Sequence, residues 1–260
     1  EIFREGVRRF INRECVPHRK AWQADCKVSR EVWHRAGETG LLCPKLGAEW
    51  GGGGGDLCHG LVIMEEQTRA GFNELAFYLH SDIIVPYIEL YGTEDQKARY
   101  LSKMASGELI SAIAMTEPGA GSDLQAIRTR AVRDGDHYRL SGAKTFISNA
   151  QLADLILVAA KTDPEAGSRG VSLLILETRD AEGFKLGRNL QKVGCKAQDT
   201  SELFFDNVRI PAENLLGGEE GRGFYQLMQR LPEERLEMAM SAVAQMECAV
   251  DEAGAYAKER

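Results

Sequence analysis

The chain has 260 residues, 43% hydrophobic and 27% charged, which is enough for one large domain or two smaller ones with a substantial core. Its net charge of −7 disfavours non-specific nucleic-acid binding, which depends on a positive surface. No apolar run approaches the length of a membrane span, and no signal-peptide pattern opens the chain. We therefore expect neither a nucleic-acid partner nor a membrane span.

The first part of the chain has the periodicity of amphipathic helices. Ser29 is a plausible N-cap, and Thr93 with Gln96 has the pattern of a capping box. The predicted helices span residues 2–24, 30–40, 57–70, 74–91 and 93–104. Gly51 to Gly55 lack the lysine and the following hydroxyl of a phosphate loop, so we interpret them as a surface turn.

The histidines and cysteines predict neither a metal site nor a disulfide framework. The five histidines are far apart, and no pair has the spacing of metal ligands. The six cysteines form no CxxC pair, which favours reduced, mostly buried thiols in a cytosol-like compartment.

The stretch from Ser111 to Ser122 separates the helical part of the chain from a part with a different periodicity. Its apolar run stops at Thr116, and a Pro-Gly-Ala-Gly turn comes next. Gly119 and Gly121 remove Cβ atoms that would hold a ligand away from the backbone, and they permit positive φ, so that N–H groups can converge on an anion. The alternative is an ordinary loop with glycines for turn geometry. Its place between two kinds of structure favours a cofactor-binding turn.

After this turn the hydrophobic pattern alternates with period two, and Asp134-Gly135 is a hairpin signal. The predicted strands span residues 129–133, 137–140, 144–147, 155–161, 171–177, 201–205 and 208–210. Short strands separated by turn signals predict a compact β-barrel or sandwich.

A helical pattern returns at Phe224 and reaches Arg260 without a stop signal. Pro232 is expected to kink this helix and to free a carbonyl near Met228. Since the first residues also look like the interior of a helix, we expect the chain to be a fragment.

Several motifs in this order resemble the acyl-CoA dehydrogenase family, and the resemblance covers essentially the whole chain. They are Ala-Met-Thr-Glu-Pro-Gly-Ala-Gly-Ser-Asp at 114–123, Gly-Ala-Lys-Thr-Phe-Ile-Ser-Asn at 142–149, Gln-Asp-Thr at 198–200 and Leu-Pro-Glu-Glu-Arg-Leu at 231–236. The last is most similar to the long-chain branch.

The resemblance implies an α+β multidomain fold. An all-α N-terminal domain would span residues 1–112, a β-barrel or sandwich middle domain residues 113–218, and the first helix of a truncated C-terminal helical bundle residues 219–260. The family also implies a homotetramer for the full-length protein.

The family cofactor is FAD, and the matching positions imply two flavin-contacting segments. The implied FAD contacts are Ile113, Met115, Thr116, Gly121, Ser122, Phe146, Ile147 and Ser148. Ser122 would also approach the acyl-CoA. Most relatives carry Trp where Phe146 stands, a change that keeps the apolar surface and loses an N–H donor.

The resemblance also implies acyl-CoA contacts at Ser168, Arg169, Tyr225, Pro232, Glu233, Glu234 and Arg235. Glu234 matches the catalytic base of the long-chain and isovaleryl branches, which would remove an α-proton beside the thioester. A carboxylate whose pKa is raised by burial suits that task. Without the resemblance, Glu233, Glu234 and Glu237 would be interpreted as a solvated helix face.

The implied activity is the dehydrogenation of a saturated fatty acyl-CoA to the trans-2-enoyl-CoA in β-oxidation, with electrons passed to an electron-transfer flavoprotein. Two alternatives remain: an acyl-CoA oxidase or related flavoenzyme on the same scaffold, and a non-catalytic acyl-CoA-binding module. A dinucleotide-binding Rossmann enzyme is disfavoured, since no GxGxxG opens a βαβ unit. The bacterial cytoplasm and the mitochondrial matrix both fit the composition.

Overall fold

The computed structural model describes residues 1–260, which form seven α-helices and a seven-stranded sheet. The helices are α1 (Ile2–Phe10), α2 (Arg19–Asp25), α3 (Arg30–Glu38), α4 (Leu57–Arg69), α5 (Val85–Tyr91), α6 (Glu94–Ala105) and α7 (Gly223–Glu259). The strands are β1 (Ser111–Ala114), β2 (Arg130–Asp134), β3 (His137–Ser148), β4 (Leu155–Lys161), β5 (Val171–Glu177), β6 (Phe184–Asn189) and β7 (Thr200–Pro211). None of the helices is both long and apolar enough to cross a membrane.

The N-terminal helices confirm the all-α prediction, with two corrections. The helix predicted over residues 2–24 is irregular in the middle, where a π-helix (Ile11–Cys15) and a 3-10 turn containing Pro17 join α1 to α2. The irregularity arises because proline cannot donate the backbone hydrogen bond of a regular helix. The helix predicted from residue 74 begins only at residue 77. Leu75 precedes the helix and is fully buried, so its apolar character extended the predicted helix too far.

The predicted capping box is present. Thr93 Oγ1 accepts from the Gln96 N–H at 3.2 Å, and Gln96 Oε1 accepts from the Thr93 N–H at 3.0 Å. Ser29 stands at the N-cap position of α3 without a side-chain hydrogen bond to the helix.

Strand β4 pairs with three other strands, and this explains why a long loop comes after β1. One edge of β4 pairs with β5. The other edge is shared by two strands: β1 pairs in parallel with residues 155–158 of β4, and β2 pairs with β4 only at Arg130–Lys161. The chain therefore leaves the sheet after residue 114 and returns at residue 130. We call residues 115–129 the departure loop.

Strands β3 and β7 each unite two strands that the sequence pattern predicted separately. Their pairing shifts register between Leu140 and Gly142 and again between Lys144 and Ile147. Such bulges break the alternation of buried and exposed residues, which is why one strand looked like two. Strand β6 was not predicted, because its residues are half-buried or exposed and show no apolar alternation.

The sheet is covered on both faces. Alternate residues of β4 and β5, such as Leu157 and Ile175, join the helices in a core of 40 buried residues. Their neighbours, such as Ile156 and Leu174, enter a second core of 18 residues inside the curled sheet. Burial on both faces explains the unbroken apolar runs of these strands. The prediction of a compact β-barrel or sandwich is confirmed, and the strands form one curled sheet.

Helix α7 is continuous through Pro232, which lies on its exposed side. The expected kink therefore does not interrupt the helix. Pro232 has no N–H, so one carbonyl of the preceding turn lacks its usual partner on the side open to water.

His80 connects the helices to the sheet. It lies in a π-helix (Leu79–Ile84) that leads into α5, and it is fully buried. Its Nε2 lies 3.0 Å from the Met104 carbonyl, so Nε2 must carry the hydrogen. Its Nδ1 then accepts from the Ser111 hydroxyl at 2.8 Å, at the start of β1. Burial lowers the pKa of His80 to about 4, so the ring is neutral at neutral pH.

This depressed pKa predicts that the N-terminal region loses stability in mild acid. The unfolded chain binds a proton at His80 below about pH 6.5, whereas the folded chain resists it until about pH 4, so stability falls as the pH drops through this window. The loss amounts to about 3 kcal/mol at most.

The loss is measured by urea unfolding of the wild type and His80→Gln between pH 7 and pH 4.5, followed by tryptophan fluorescence, to which Trp33, whose ring contacts that of His80, contributes. The variant, which has no titrating ring, should show the shallower pH dependence. Parallel pH curves would contradict the assignment.

Candidate functional site

The departure loop is fixed by a buried ion pair. Lys144 Nζ donates to Glu117 Oε1 at 2.9 Å and to the Met115 carbonyl at 2.8 Å. The Lys144 side chain is fully buried. The Glu117 carboxylate also accepts the N–H groups of Arg128, at 2.6 Å, and Thr129, at 3.0 Å. Glu117 therefore ties the end of the loop to its beginning, and Lys144 ties both to β3.

The pKa values of the pair follow from burial and mutual attraction. Burial lowers the pKa of Lys144 to about 8, and Glu117 opposes that shift. Burial alone would raise the pKa of Glu117, but the charge of Lys144 and the hydrogen-bond donors outweigh it and hold the pKa below its usual value. Both groups are charged at neutral pH.

A bulge in β3 turns Phe146 outward. Between the pairs Lys144–Leu203 and Ile147–Ser201, β3 carries one residue more than β7. Phe146 has φ +59°, and 65% of it is exposed. A bulky residue in the left-handed region costs of order 1 kcal/mol or more, and such strain is concentrated at functional sites. The bulge thus presents a flat apolar ring at the surface.

The glycines of the departure loop leave open space, although not in the predicted way. Neither Gly119 nor Gly121 has positive φ, so that part of the prediction is wrong. A Cβ on either glycine would meet no atom within 4 Å. The packing of this chain therefore does not require glycine there, whereas close approach of a ligand to the backbone would.

The remaining predicted cofactor residues differ in exposure. The side chains of Ile113 and Ile147 are buried in the two cores, so only their backbone can contact a ligand. Gly121 and Ser122 are exposed. Met115, Thr116 and Ser148 are half-buried. Next to Phe146 lies an open groove that the sequence did not predict, formed at the end of β6 by Arg188, Asn189, Leu190 and Gln191.

Helix α7 carries the second part of the site. Arg230, Glu233, Glu234 and Glu237 recur at the spacing of one helix face. Together with Lys45, from the loop after α3, and Asp82, from the π-helix Leu79–Ile84, they form a group that we call the α7 polar cluster. Arg230, Glu234, Glu237 and Asp82 are all at most 9% exposed.

Glu234 is a buried carboxylate with one side-chain donor. Its Oε1 accepts from the Tyr87 hydroxyl at 3.0 Å. Burial raises its pKa, although the Tyr87 hydrogen bond and the charge of Arg230 oppose this. A solvated helix face is therefore excluded for Glu234, and also for Glu237, which is 1% exposed.

Glu233 is half-buried and fully engaged. Lys45 Nζ donates to its Oε1 at 2.6 Å, and Arg230 Nη1 lies 2.8 Å from its Oε2. Pro232 and Arg235, predicted to contact substrate, lie on the exposed side of α7.

The other predicted substrate residues lie near the start of α7. Ser168 and Arg169 belong to a 3-10 segment, Pro164–Gly170. The Arg169 carbonyl is so close to Gly221 that a Cβ there would lie 2.3 Å from it. Tyr225, on the first turn of α7, is 52% exposed. The structure thus brings these residues to the same end of the helix.

Sequence reasoning missed Lys45, Asp82, Tyr87 and Arg230, and it gave Glu237 no role beyond a solvated helix face. Arg230 and Glu237 could have been found, because they stand four residues before and three after Glu234 on the same helix face. Lys45, Asp82 and Tyr87 come from other segments, and no spacing in the sequence relates them to α7.

Comparison with known proteins agrees with these features along the whole chain. Residues 1–108, 112–208 and 221–260 match the family profiles described as acyl-CoA dehydrogenase N-terminal, middle and C-terminal domains. The chain belongs to the acyl-CoA dehydrogenase family.

Individual relatives are similar over the same extent. The mitochondrial long-chain specific acyl-CoA dehydrogenase of Sus scrofa is 48% identical over 100% of this chain and 60% of its own length. An acyl-CoA dehydrogenase structure from Geobacillus kaustophilus is 49% identical, with a TM-score of 0.96 over 100% of this chain and 68% of that one. A glutaryl-CoA dehydrogenase from Mycobacterium smegmatis, in complex with FADH2, is 29% identical, with a TM-score of 0.88 over 99% of this chain and 65% of that one.

The Lys144–Glu117 pair predicts a local effect in this acyl-CoA dehydrogenase family member. Lys144→Met should destabilise the protein by about 3 kcal/mol, because it leaves a buried carboxylate without its counter-ion. It should also make the departure loop sensitive to protease, which mass spectrometry of the fragments locates. The control is Lys185→Met on β6, where the lysine is exposed. If both variants are cleaved at the wild-type rate within residues 115–129, the pair does not hold the loop.

Proposed function

We propose that the full-length protein catalyses the FAD-dependent dehydrogenation of a saturated fatty acyl-CoA to the trans-2-enoyl-CoA, with Glu234 as the catalytic base. The observation that carries this proposal is the buried Glu234, hydrogen-bonded to Tyr87 on the inner face of α7, in a member of the acyl-CoA dehydrogenase family. The chain spans 60% of the length of the pig relative, so the activity is proposed for the whole protein.

The residues around the departure loop fit a flavin nucleotide. The open backbone at Gly119 and Gly121 admits a phosphate, and the exposed ring of Phe146 can contact a flat ring system. Thr116 and Ser148 supply hydroxyl groups beside it. Bound FAD would accept the hydride that leaves the β-carbon. We retain Ile113, Met115, Gly121, Ser122 and Ile147 as further proposed contacts, the two isoleucines through their backbone.

Glu234 would remove the α-proton of the thioester. Burial raises its pKa, and a carboxylate with a raised pKa is a stronger base as long as it remains ionised. The Tyr87 hydroxyl stabilises the ionised form and fixes the carboxylate, so that Glu234 is aimed before substrate binds. Burial also keeps water from competing for the proton.

The CoA portion is proposed to lie at the start of α7. Arg169, Tyr225 and Ser122 are exposed, and Ser168, next to Arg169 in the chain, is half-buried. Arginine and hydroxyl groups suit the phosphates and amides of CoA. Arg235 and Pro232 are proposed contacts on the exposed side of the same helix. Glu233 is proposed to contribute indirectly, by holding Lys45 and Arg230 in place through its two ion pairs.

The proposed partners follow from this chemistry and from the family. Electrons would pass to an electron-transfer flavoprotein, and the full-length protein would form a homotetramer. The pig relative is described as mitochondrial and other relatives are bacterial, so we propose the mitochondrial matrix or the bacterial cytoplasm. An acyl-CoA oxidase would differ in being reoxidised faster by oxygen than by a flavoprotein acceptor.

Glu234→Gln tests the assignment of the base. In anaerobic mixing of the FAD-loaded, full-length protein with saturated acyl-CoAs, the wild type should lose its oxidised-flavin absorbance. In the variant the rate of bleaching should fall by a factor of at least about 10³, since general-base catalysis is removed while acyl-CoA still binds. The exposed Glu252 on the same helix provides the control, Glu252→Gln. No bleaching of the wild type by any thioester would leave a binding module as the function.

Tyr87→Phe tests how the base is tuned. Because the Tyr87 hydroxyl lowers the pKa of Glu234, its loss should raise that pKa and move the acid limb of the kcat/KM profile to higher pH. Tyr91→Phe is the matched control, since the Tyr91 hydroxyl donates to Gln229 at the surface. If the acid limb of the Tyr87→Phe profile stays at the same pH or moves to lower pH, this hydrogen bond does not act on the base.

A further inference from the structure

Beyond Glu234, the α7 polar cluster contains buried groups that the proposed chemistry does not use. Both carboxylate oxygens of Glu237, Oδ1 of Asp82, and Nε and Nη2 of Arg230 have no hydrogen-bond partner. These residues are 1%, 4% and 8% exposed, respectively. Buried polar groups are normally paired, because an unpaired one costs about 1–3 kcal/mol. Their concentration in one place points to a ligand that pairs with them.

Lys45 contacts the acids of the cluster without satisfying them. Its Nζ lies 3.4 Å from Asp82 Oδ1 and 3.6 Å from Glu237 Oε1, at the long end of the ion-pair range, and its short contact, 2.6 Å, is with Glu233. Arg230 likewise uses Nη1 on Glu233 and leaves its other nitrogens free. The short ion-pair contacts of Lys45 and Arg230 are thus both made with Glu233.

The protonation of the cluster defines what it can bind. Burial, with the nearby Asp82, raises the pKa of Glu237 to about 8, so at neutral pH it is mostly a neutral acid that can both donate and accept. Burial raises the pKa of Asp82 to about 6, which leaves it mostly ionised and an acceptor. Arg230 adds donors. The cluster therefore offers donors and acceptors side by side.

Other ligands fit these groups less well. A hydrocarbon chain would leave every free polar atom unpaired. A carboxylate on the ligand would lie among the acidic side chains of Asp82, Glu233 and Glu234. These outnumber the two cations, Lys45 and Arg230. No group of three potential metal ligands is arranged to hold an ion, and Lys45 Nζ already lies among the acids. A hydroxyl group, which donates to one partner and accepts from another, fits best.

Glu237 lies on the side of Glu234 away from the proposed CoA contacts. Arg169 and Tyr225 are at the start of α7, Glu234 comes more than two turns later, and Glu237 stands one turn further still, roughly 5 Å along the axis. An acyl chain that begins at the CoA end and passes Glu234 would therefore reach Glu237 with its middle carbons.

We propose that the acyl group dehydrogenated by this protein carries a hydroxyl group in its chain, bound by Glu237 and Asp82, which both face Lys45. This proposal rests on the proposed function, since it assumes that acyl-CoA binds along α7. It narrows the substrate from a plain fatty acyl-CoA to a hydroxylated one.

Binding is tested apart from catalysis in FAD-loaded, full-length Glu234→Gln protein, which cannot remove the α-proton. Calorimetric titration compares octanoyl-CoA with hydroxyoctanoyl-CoAs in which the hydroxyl is moved one carbon at a time. One position should bind about tenfold more tightly than octanoyl-CoA, as expected for one hydrogen bond to a buried group. Adding Glu237→Leu should abolish the preference or reverse it, whereas Glu237→Gln should keep most of it. Glu252→Leu, on the exposed side of α7, is the matched control.

Equal affinity for octanoyl-CoA and every hydroxylated form would overturn the proposal, as would a preference that survives Glu237→Leu. Tighter binding of an aminoacyl-CoA than of the hydroxyl form would show that the cluster takes a cation instead. Failure of the proposed function is distinct, since it appears as the absence of flavin bleaching in the wild type with any thioester, plain or hydroxylated.

Discussion

The buried ion pair between Lys144 and Glu117 is the constraint on which the departure loop depends. Because β1 and β2 share one edge of β4, the chain must leave the sheet between them. The N–H groups of Arg128 and Thr129 then need acceptors, and the Glu117 carboxylate provides them. Lys144 keeps that carboxylate ionised although the carboxylate is shielded from water. Removing either charge would leave the other one buried alone, so the pair specifies the loop more than it stabilises the fold.

The same short segment of β3 also determines what the site presents to solvent. Lys144 and Ile147 point inward on either side of the bulge, and Phe146 is left outside with positive φ. Neither inward side chain can move without exposing a charge or an apolar group, so the strained backbone between them is held in place. A comparable coupling occurs in the π-helix Leu79–Ile84, where His80 is fixed to Ser111 on β1, and Asp82, two residues later, faces Lys45 in the α7 polar cluster.

Much of the fold could be predicted from the sequence because single segments carried their own signals. The capping box at Thr93, the apolar runs of β4 and β5 and the helix pattern of α7 are local, and the structure confirms them. The failures also have local causes. Bulges split β3 and β7 in the pattern, and β6 has no apolar alternation. Leu75, buried just before the helix, extended the helix pattern too far.

The site was less predictable, since its groups meet only in three dimensions. Glu234 was found through a resemblance, whereas its contact with Tyr87 and the approach of Lys45 and Asp82 depend on how α7 packs against the earlier helices. Burial changed the interpretation of two of the glutamates: in the run that favoured a solvated face, the pKa values of Glu234 and Glu237 are raised. Apolar residues at positions 230, 234 and 237 would pack at lower cost. Local stability is given up on this one face of α7, and such departures are concentrated at functional sites.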